Sequence, residues 1–444
     1  MAEALAAHAA KRQSLVESLK QAQGGNAGTL ALAKDTSNLF RDRAAGARRR
    51  LDVRGFNQVL AVKDNFVEAE GMTPYEDLTA ACLKHGVMPA VVPQLKTITL
   101  GGAVAGVGIE SSSYRHGLVH DTMLELDVLL GDGRVVTCTP DNAHADLFFG
   151  FPNSYGTLGY ALRVKARTIP VKPYVRLTHI PFGDFSELER HLHAAEADFI
   201  DGTVFSPARK FITLGHFVER APYTSDYTFE HIYYRSIGEK REDYLTTHDY
   251  VWRWDTDWFW CSKNVFAQNA FLRKFAFGKK RLGSRTYTKI MRWNSRVGIT
   301  AKLERVLGLH SESVIQDVDI PIARANEFLE FYAREIGLWP LWVCPIGVSK
   351  SAFTLYPVKP GFYVNFGFWD VKRTREAHAP GHFNRLIEDQ VSELGGIKSL
   401  YSDSFFEPAD FHRRYGGAAY DALKKKYDPA GAFPRLYEKC VLKA

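Results

Sequence analysis

TITLGGAVAGVGIESSSYRHGLVHD, residues 97–121, is a loop of small residues that decides which fold this chain can adopt. Glycine lets a backbone approach a ligand closely, and consecutive exposed N–H groups form a concave site for an anion. The serine hydroxyls at the end of the run add further donors. The stretch therefore predicts a pyrophosphate-binding loop, and a glycine-rich turn between two strands is the structural alternative.

The glycine spacing at residues 106–111 comes close to the G-x-G-x-x-G fingerprint of a Rossmann fold. Ser111 stands where that fingerprint has its last glycine, and turn-like residues rather than a buried strand precede the loop, so a Rossmann site is disfavoured. Two other polar turns lie next to short predicted strands, at residues 34–38 and 154–160. Three such turns indicate a nucleotide site of another architecture.

Bulk properties narrow the class of protein. With 444 residues the chain is long enough for two or three domains, and its net charge of +7 is dispersed, which argues against nucleic acid as a partner. The five cysteines are scattered, without zinc-ligand spacing, which predicts no metal site and a reducing compartment. The N-terminal 20 residues predict a charged helix, and no apolar run is long enough to span a bilayer. We therefore expect a cytoplasmic protein, peripheral at most at the inner face of the membrane.

Residues 97–170 resemble the FAD-binding domain of PCMH-type (vanillyl-alcohol-oxidase-like) flavoproteins, and more specifically the Δ24-sterol reductase (seladin, Diminuto/Dwarf1) family in a bacterial form. The motifs that carry the resemblance are TLGGAVAGVGIESSS at 99–113, HGL at 116–118, LLGDGRVVTCTPDNAHADLFFG at 129–150, SYGTLGY at 154–160, SVIQDVDIP at 313–321 and LYSDSFFEPADF at 400–411. The likeness extends over roughly residues 28–440.

The resemblance implies an α+β fold, with a two-subdomain PCMH-type FAD-binding domain and an α+β substrate (cap) domain. The expected divisions are an N-terminal helix at 1–27, the FAD-binding domain at 28–175, the cap domain at 176–400, and a C-terminal segment at 401–444 that returns to the FAD domain. Many relatives carry a histidine in the first polar turn that binds the flavin covalently. This sequence has none at 34–38, so we expect non-covalent FAD, with NADPH as a possible electron donor.

The same resemblance implies the cofactor-binding residues. They are expected to be Lys34, Asp35, Thr36, Ser37 and Asn38 in the first turn, Thr97, Thr99, Gly101, Gly102, Gly106, Gly108, Ile109, Ser111, Ser112, Ser113 and Gly117 in the glycine loop, and Gly156, Thr157 and Gly159 in the third turn. The loop would supply N–H groups to the pyrophosphate, and the third turn would lie near the isoalloxazine and ribityl chain.

Reduction of an isolated C=C bond needs a proton on one carbon and a hydride on the other. Tyr401, Asp403 and Glu110 are the candidate catalytic residues, because the first two lie in the returning C-terminal segment and the third lies in the cofactor loop. The structural alternatives are a core tyrosine, a turn cap for Asp403, and a carboxylate that hydrogen-bonds only its own loop.

Residues 250–293 contain five of the eight tryptophans and ten Lys or Arg residues. This composition fits either a surface for anionic lipid or a core helix pair with a solvated basic face. The density of aromatic residues suits either a lipid substrate or a cationic transition state. The resemblance implies a lipid substrate, either a branched or methylated fatty acyl chain or a sterol-like side chain. We therefore expect an FAD-dependent oxidoreductase that reduces a C=C bond or introduces one. The alternatives are an alcohol or sugar oxidase of the same fold, and a flavin- or lipid-binding protein without turnover.

Overall fold

The computed structural model of the protein describes residues 2–22, 28–36, 40–41, 48–298, 304, 306–349 and 352–443. Sixteen strands are present in this part of the chain: β1 Thr29–Ala33, β2 Arg48–Asp52, β3 Val59–Val62, β4 Phe66–Glu70, β5 Val87–Pro89, β6 Met123–Leu129, β7 Val135–Cys138, β8 Tyr160–Pro170, β9 Tyr174–Pro181, β10 Phe199–Ser206, β11 Arg209–Val218, β12 Glu242–Thr246, β13 His310–Pro321, β14 Leu341–Val348, β15 Gly361–Thr374 and β16 Ile397–Lys398.

The α-helices of the described residues are short except at the N-terminus. They are α1 Ala2–Ala22, α2 Tyr75–Leu83, α3 Leu100–Ala105, α4 Ser113–His116, α5 Ala145–Gly150, α6 Phe185–Ala194, α7 Tyr233–Ser236, α8 Thr247–Val251, α9 Ser284–Val297, α10 Ala325–Phe331, α11 His382–Glu393, α12 Pro408–Arg414, α13 Gly417–Tyr427 and α14 Leu436–Cys440. Single 3₁₀ turns lie at Val119–Thr122, Cys261–Val265, Lys279–Arg281 and Ile322–Arg324, and π-helical turns at Leu272–Phe277 and Tyr332–Ile336. None of these helices is both long and apolar enough to cross a membrane.

A six-stranded antiparallel sheet forms the first half of the fold, in the order β3-β4-β8-β6-β7, with β5 also paired to β8. The long strand β8 alternates buried with partly exposed residues, as a strand with one covered face does. The two short runs of residues on either side of Lys63-Asp64-Asn65, a pattern typical of a hairpin, form the antiparallel pair β3 and β4. Strands β1 and β2 form a separate parallel pair. This pair and helix α1 share a small hydrophobic core with the six-stranded sheet, which includes Leu15, Leu19 and Leu30.

An eight-stranded antiparallel sheet forms the second half, in the order β12-β9-β11-β10-β14-β15-β13-β16. Helices α6, α10 and α11 cover one of its faces and bury Val318 and Ile320 of β13 among their apolar side chains. Because side chains alternate along a strand, Asp317 and Asp319 project from the opposite face. The register pairs Asp317 with Gly367 of β15, and this pairing fixes the position of that carboxyl group.

The two large sheets use separate parts of the chain, residues 59–170 and residues 174–398. That the FAD-binding domain ends at residue 175 and the cap domain at residue 400 remains a prediction. The C-terminal segment packs back on the first half: Lys424 Nζ donates to the carbonyl oxygen of Thr157 (2.8 Å).

Two local differences from the sequence pattern have clear causes. The region 374–394, which reads as one helix, is helical only from His382, because residues up to Thr374 pair with β13 as strand. Thr73 does not cap α2 with its side chain; its hydroxyl donates instead to the carbonyl oxygen of Gln58 (3.2 Å).

Candidate functional site

A cleft lies where β1, the glycine loop, the turn before β8 and the eight-stranded sheet come together. One side, which we call the glycine wall, consists of Thr99, Gly101, Gly102, Gly106 and Gly108 with the facing Gly156 and Gly159. Another side, the aromatic wall, consists of Trp258, Phe259, Trp342, Trp369 and Tyr401. The cleft thus joins a surface of exposed backbone to a surface of large apolar rings.

The glycine wall is built by close backbone contacts. Thr99 caps the short helix α3 by accepting a hydrogen bond from the N–H of Gly102 (3.3 Å). A Cβ atom at Gly101 would lie 2.7 Å from the carbonyl oxygen of Gly71, so only glycine fits there without a backbone shift. The N–H of Tyr155 donates to the carbonyl oxygen of Ala105 (2.7 Å), which holds the third polar turn against the loop. Since Lys34 and Thr36 of the first turn also line the cleft, all three turns singled out in the sequence meet at one site.

The structure places ten of the predicted cofactor residues on the cleft. They are Lys34, Thr36, Thr99, Gly101, Gly102, Gly106, Gly108, Ile109, Gly156 and Gly159. Seven others lie away from the lining, namely Asp35, Thr97, Ser111, Ser112, Ser113, Gly117 and Thr157. Ser37 and Asn38 fall outside the described residues. Direct contact of any of these residues with a cofactor remains a prediction.

The three serines are buried, and their hydroxyls hold the loop instead of facing the cleft. Ser111 donates to Glu110 (2.5 Å), Ser112 donates to the carbonyl oxygen of Ala90 (2.7 Å), and Ser113 accepts from the N–H of Glu110 (3.1 Å). Hydrogen bonds of the serine hydroxyls to Glu110 and to the backbone therefore hold the turn that follows the glycines.

Glu110 belongs to a buried ionic network that also lies off the cleft. The Arg253 guanidinium, 3% exposed, donates to Glu110 Oε1 (3.0 Å) and to Asp201 Oδ2 (2.9 Å). Asp201 in turn accepts the indole N–H of Trp342 (3.0 Å), a residue of the aromatic wall. Burial raises the pKa of Glu110, and the neighbouring Arg253 opposes that rise. The network thus connects the glycine loop to the aromatic wall.

The aromatic wall is assembled from widely separated segments. Phe259 stacks on Trp369 (ring centroids 4.2 Å apart), and Phe40 stacks on Trp258 (5.5 Å). Trp258 and Phe259 both adopt left-handed backbone conformations, with φ of 44° and 59°. Bulky residues seldom adopt this conformation, which costs on the order of 1–3 kcal/mol per residue. The surrounding packing therefore holds both rings at the cleft against local strain.

Four tryptophans of the stretch 250–293 belong to the core: Trp252, Trp254, Trp258 and Trp260 are buried, and Trp293 is exposed. In the first part of this stretch the tryptophans therefore pack in the core of the protein and do not form a surface for lipid. The second part, from Phe266 onward, carries the exposed rings Phe266, Phe271, Phe275 and Trp293.

Asp317 supplies the one carboxyl group among the described residues that line the cleft. It keeps some exposure to the cleft, but its Oδ1 is buried and has no hydrogen-bond partner among the described residues. Burial raises the pKa of Asp317 to about 8; a hydrogen bond from Tyr401 opposes the rise, and the neighbouring Asp319 adds to it. The carboxyl group is thus largely protonated at neutral pH.

The three predicted catalytic residues have different positions. Tyr401 lines the cleft, and its hydroxyl accepts the indole N–H of Trp369 (2.9 Å). Asp403 lies off the cleft and pairs with Lys443 (3.1 Å). Glu110 is engaged in the ionic network. Of the three, Tyr401 alone is placed to touch a ligand in the cleft.

Sequence reasoning missed Gln94, Arg41 and Asp317. Gln94 and Arg41 follow no motif, because each reaches the cleft from an irregular segment. Asp317 did leave a signal: Asp317 and Asp319 alternate with Val318 and Ile320 at the apolar end of a strand. Carboxyl groups on one face of such a strand require a polar or functional environment.

Comparison with known proteins supplies the cofactor. A family model described as an FAD binding domain matches residues 4–139. The chain is 27% identical to the Delta(24)-sterol reductase of Homo sapiens over 395 residues, which is 85% of this chain and 74% of that protein. It is 26% identical to the Delta(24)-sterol reductase of Arabidopsis thaliana over 438 residues (88% and 76%). Cytokinin dehydrogenase 7 of Oryza sativa subsp. japonica is 33% identical over 159 residues (34% and 30%).

The residues of the cleft fit FAD. Gln94 Nε2 and Oε1, Tyr155 Oη, Arg41 Nη2 and Asp317 Oδ1 are buried without a hydrogen-bond partner among the described residues, and all four residues line the cleft. Buried polar atoms of this kind call for a polar ligand.

The charges of the cleft point to the same ligand. Lys34, Arg41, Arg48 and Lys439 give the lining a positive charge suited to a diphosphate. The protein is an FAD-dependent oxidoreductase that acts on a C=C bond; its chain carries a PCMH-type FAD-binding domain and is similar over most of its length to the Δ24-sterol reductases.

Proposed function

We propose that the protein exchanges hydrogen between FAD and an isolated carbon–carbon double bond of a lipid. The observation that carries the proposal is the aromatic wall, where four large rings and Tyr401 adjoin the single carboxyl group among the described lining residues. An apolar pocket with few polar groups suits a hydrocarbon chain. Aromatic faces also stabilise positive charge that develops on a carbon atom, by roughly 0.5–2 kcal/mol each.

The division of labour follows from the two walls. Non-covalently bound FAD supplies a hydride at N5 in the reducing direction and accepts one in the reverse direction. The glycine wall and the cations around it hold the cofactor, while Trp258, Phe259 and Trp369 exclude water and orient the substrate. A nicotinamide nucleotide such as NADPH is the proposed electron donor for reduction.

The substrate class rests on the relatives and on the aromatic wall together. Two of the relatives are named for reduction at position 24 of a sterol. We therefore propose a sterol-like side chain or a methylene-branched or methylated fatty acyl chain, both of which present an isolated C=C bond on a flexible hydrocarbon.

An alcohol or sugar oxidase of the same fold is the second candidate. Cytokinin dehydrogenase 7 is 33% identical to 159 residues of the chain, so a relative named as a dehydrogenase supports this candidate. A sugar would need several polar partners beside the flavin, and the aromatic wall offers few. A binding protein without turnover is the third candidate.

Flavin spectroscopy separates these candidates. The purified protein is reduced with dithionite and mixed anaerobically with a side-chain-unsaturated sterol or with a phospholipid that carries a methylene-branched acyl chain. We expect one of these lipids to restore the oxidised flavin spectrum. Reduction of the oxidised protein by alcohols or sugars would instead support the oxidase, and absence of both reactions would leave a binding protein.

We also propose that the protein meets its substrate at an anionic membrane surface, reached from the cytoplasm. The supporting feature is the basic aromatic face, defined here by Phe266, Phe271, Phe275, Lys280 and Trp293. Phe266 is 71% exposed, Phe275 69% and Trp293 56%. The sequence contains no acidic residue from 266 to 297, whereas helix α9 exposes Arg285 and Lys289 beside Trp293. Exposed rings bordered by cations are typical of interfacial binding.

Vesicle binding tests this surface. Wild-type protein should sediment with vesicles that contain phosphatidylglycerol and much less with pure phosphatidylcholine. The double variant Phe271→Ser, Phe275→Ser should bind at least tenfold more weakly. Leu442→Ser is the matched control, since it removes an exposed apolar side chain elsewhere (60% exposed). Equal binding by the double variant and wild type would remove the proposal.

A further inference from the structure

We propose that Asp317 is the catalytic proton donor of the reaction in the reducing direction, and that Gly367 is required to make room for it. The inference rests on the proposed function, since it concerns a proton added to a C=C bond. Geometry identifies Asp317 as the donor, because its side chain lines the cleft and its Oδ1 has no hydrogen-bond partner among the described residues.

The other acidic side chains near the cleft are poorer candidates, because of their position, their hydrogen bonds or their pKa. Glu110 is held by Arg253 off the cleft, and Asp403 pairs with Lys443. Tyr401 does line the cleft, but burial raises the pKa of its phenol well above the usual value, so it is a weaker acid than Asp317. Asp319 faces the same side of β13, but its carboxylate is occupied by Tyr356 Oη (2.7 Å) and Asn365 Nδ2 (2.7 Å).

Gly367 gives Asp317 its space. The two residues are cross-strand partners, and a Cβ atom at position 367 would lie 2.7 Å from Asp317 Oδ1 and 2.6 Å from the Trp369 ring. Any side chain there would push both groups from their places. The absence of a Cβ atom therefore allows the carboxyl group and the indole to lie side by side at the cleft.

The surroundings keep the carboxyl group protonated. Tyr401 and Tyr155 are the titratable groups that interact with Asp317 from other segments, and Asp319 interacts with it along its own strand. Gly367 and Trp369 across the strand pair carry no charge. No described residue forms an ion pair with Asp317, so burial dominates and favours the neutral acid.

Protons and electrons balance in this step. The π bond of the substrate breaks, and its electron pair takes the Asp317 proton to form one C–H bond. The other carbon would accept the hydride equivalent that bound FAD would supply, once a nicotinamide nucleotide had reduced it. Asp317 is left as a carboxylate and regains a proton from water before the next turnover. The aromatic rings beside Asp317 on the cleft would stabilise the positive charge that develops on the substrate carbon.

The test compares Asp317→Asn with Asp319→Asn, a buried carboxyl group on the same strand that does not line the cleft. Infrared difference spectra between pH 6 and pH 10, recorded on the flavin-bound protein without substrate, report the carbonyl stretch of a protonated carboxyl group. Wild type should lose such a band as the pH rises through about 8, and Asp319→Asn should lose it at a somewhat lower pH, because Asp319 no longer adds to the raised pKa of Asp317. Asp317→Asn should lack the change near pH 8 and keep only that of Asp319, whose pKa burial raises to about 6.

Single-turnover reoxidation of the dithionite-reduced flavin by the same lipid probes measures the chemistry. Asp317→Asn should be slowed at least 100-fold with the flavin still bound, as expected when a general acid is lost. Asp319→Asn should remain within about threefold of wild type. Gly367→Ala, which keeps the carboxyl group but displaces it, should be slowed about tenfold or more.

The outcomes separate the two proposals. If the lipids reoxidise wild type and Asp317→Asn at the same rate, Asp317 is not the proton donor and the proposed function stands. If no lipid reoxidises wild type, the proposed function fails. A missing infrared band in wild type overturns the neutral Asp317 in either case.

Discussion

The glycine wall and the aromatic wall of the cleft are made in opposite ways. The glycine wall consists mainly of backbone from one short segment, in which Thr99, Gly101 and Gly106 lie within eight residues, with Gly156 and Gly159 of the third turn facing it. The aromatic wall consists of side chains that an irregular turn segment, two strands and the C-terminal segment bring together from residues 258 to 401. Local sequence determines the first surface, and sheet register determines the second.

The two walls are nevertheless coupled by one buried cation. Arg253 contacts Glu110 next to the glycine wall and Asp201, which holds the indole of Trp342 in the aromatic wall. A substitution in this network should therefore change the structure of both walls, whereas a substitution on one wall outside the network should change that wall alone. Substitutions in the network and on each wall separately test this contrast.

The largest effect is expected from Arg253→Met. The change leaves the carboxylates of Glu110 and Asp201 buried without their cation, and breaking a buried pair in this way costs about 3–5 kcal/mol. The free energy of unfolding in urea should fall by that amount, and both bound-flavin absorbance and the fluorescence of the buried tryptophans should change.

The matched control is Arg285→Met, which removes an exposed ion pair with Glu76 (2.6 Å). Such surface pairs contribute about 0–1 kcal/mol. If Arg253→Met is no more destabilising than Arg285→Met, the two walls are not coupled through Arg253.

Gly101→Ala tests the glycine wall alone. The added methyl group meets the carbonyl oxygen of Gly71 at 2.7 Å, and overpacking against backbone costs about 1–3 kcal/mol. We expect FAD to be retained at least tenfold more weakly, with little change in tryptophan fluorescence from the aromatic wall. Gly55→Ala, whose added Cβ would meet its nearest atom at 4.0 Å, should keep the wild-type affinity for FAD.

The same contrast explains what the sequence alone can predict. Gly101, Gly106 and their neighbours are close in sequence and in space, so the composition of this one stretch is enough to indicate a phosphate site. The hairpin β3-β4 and the start of β1 are also predictable, because alternation and turn residues are local signals.

The aromatic wall is beyond the same reasoning. Trp258 and Trp369 are 111 residues apart, and their approach depends on the pairing of β13, β14 and β15 across long sequence separations. Composition cannot divide the tryptophan-rich stretch into its buried part, at Trp252 to Trp260, and its exposed part, at Trp293. Burial is a tertiary property that neighbouring residues do not determine.

The third prediction concerns the pH dependence of stability at the aromatic wall. The pKa of Asp317 is raised to about 8 from an ordinary value of 3.8. Between these values the folded protein keeps a proton that the unfolded chain has released, so this group makes stability fall as the pH rises, by up to about 1.4 kcal/mol for each pH unit. Above about pH 8 the loss is complete.

Urea unfolding of wild type and Asp317→Asn at pH 5 and pH 8 measures this contribution. The variant lacks the titration, so its stability relative to wild type should increase from pH 5 to pH 8 by at least about 1 kcal/mol. A constant difference would mean that the folded carboxyl group titrates near its ordinary value. Gly101→Ala, on the other wall, should show no such change with pH.

The smallest effect is expected from Trp369→Phe, which keeps most of the ring that stacks on Phe259 but removes the N–H donor to Tyr401 Oη (2.9 Å). Loss of one such hydrogen bond costs about 1 kcal/mol, roughly a fivefold change in a rate or an affinity. If Tyr401 positions the proton on Asp317, reoxidation of reduced flavin by lipid should slow about fivefold while FAD binding is unchanged. Trp252→Phe, a buried tryptophan off the cleft, is the control. Equal rates for both variants would show that the hydrogen bond between Trp369 and Tyr401 does not help to position the proton on Asp317. Tyr401 would then contribute only packing to the aromatic wall.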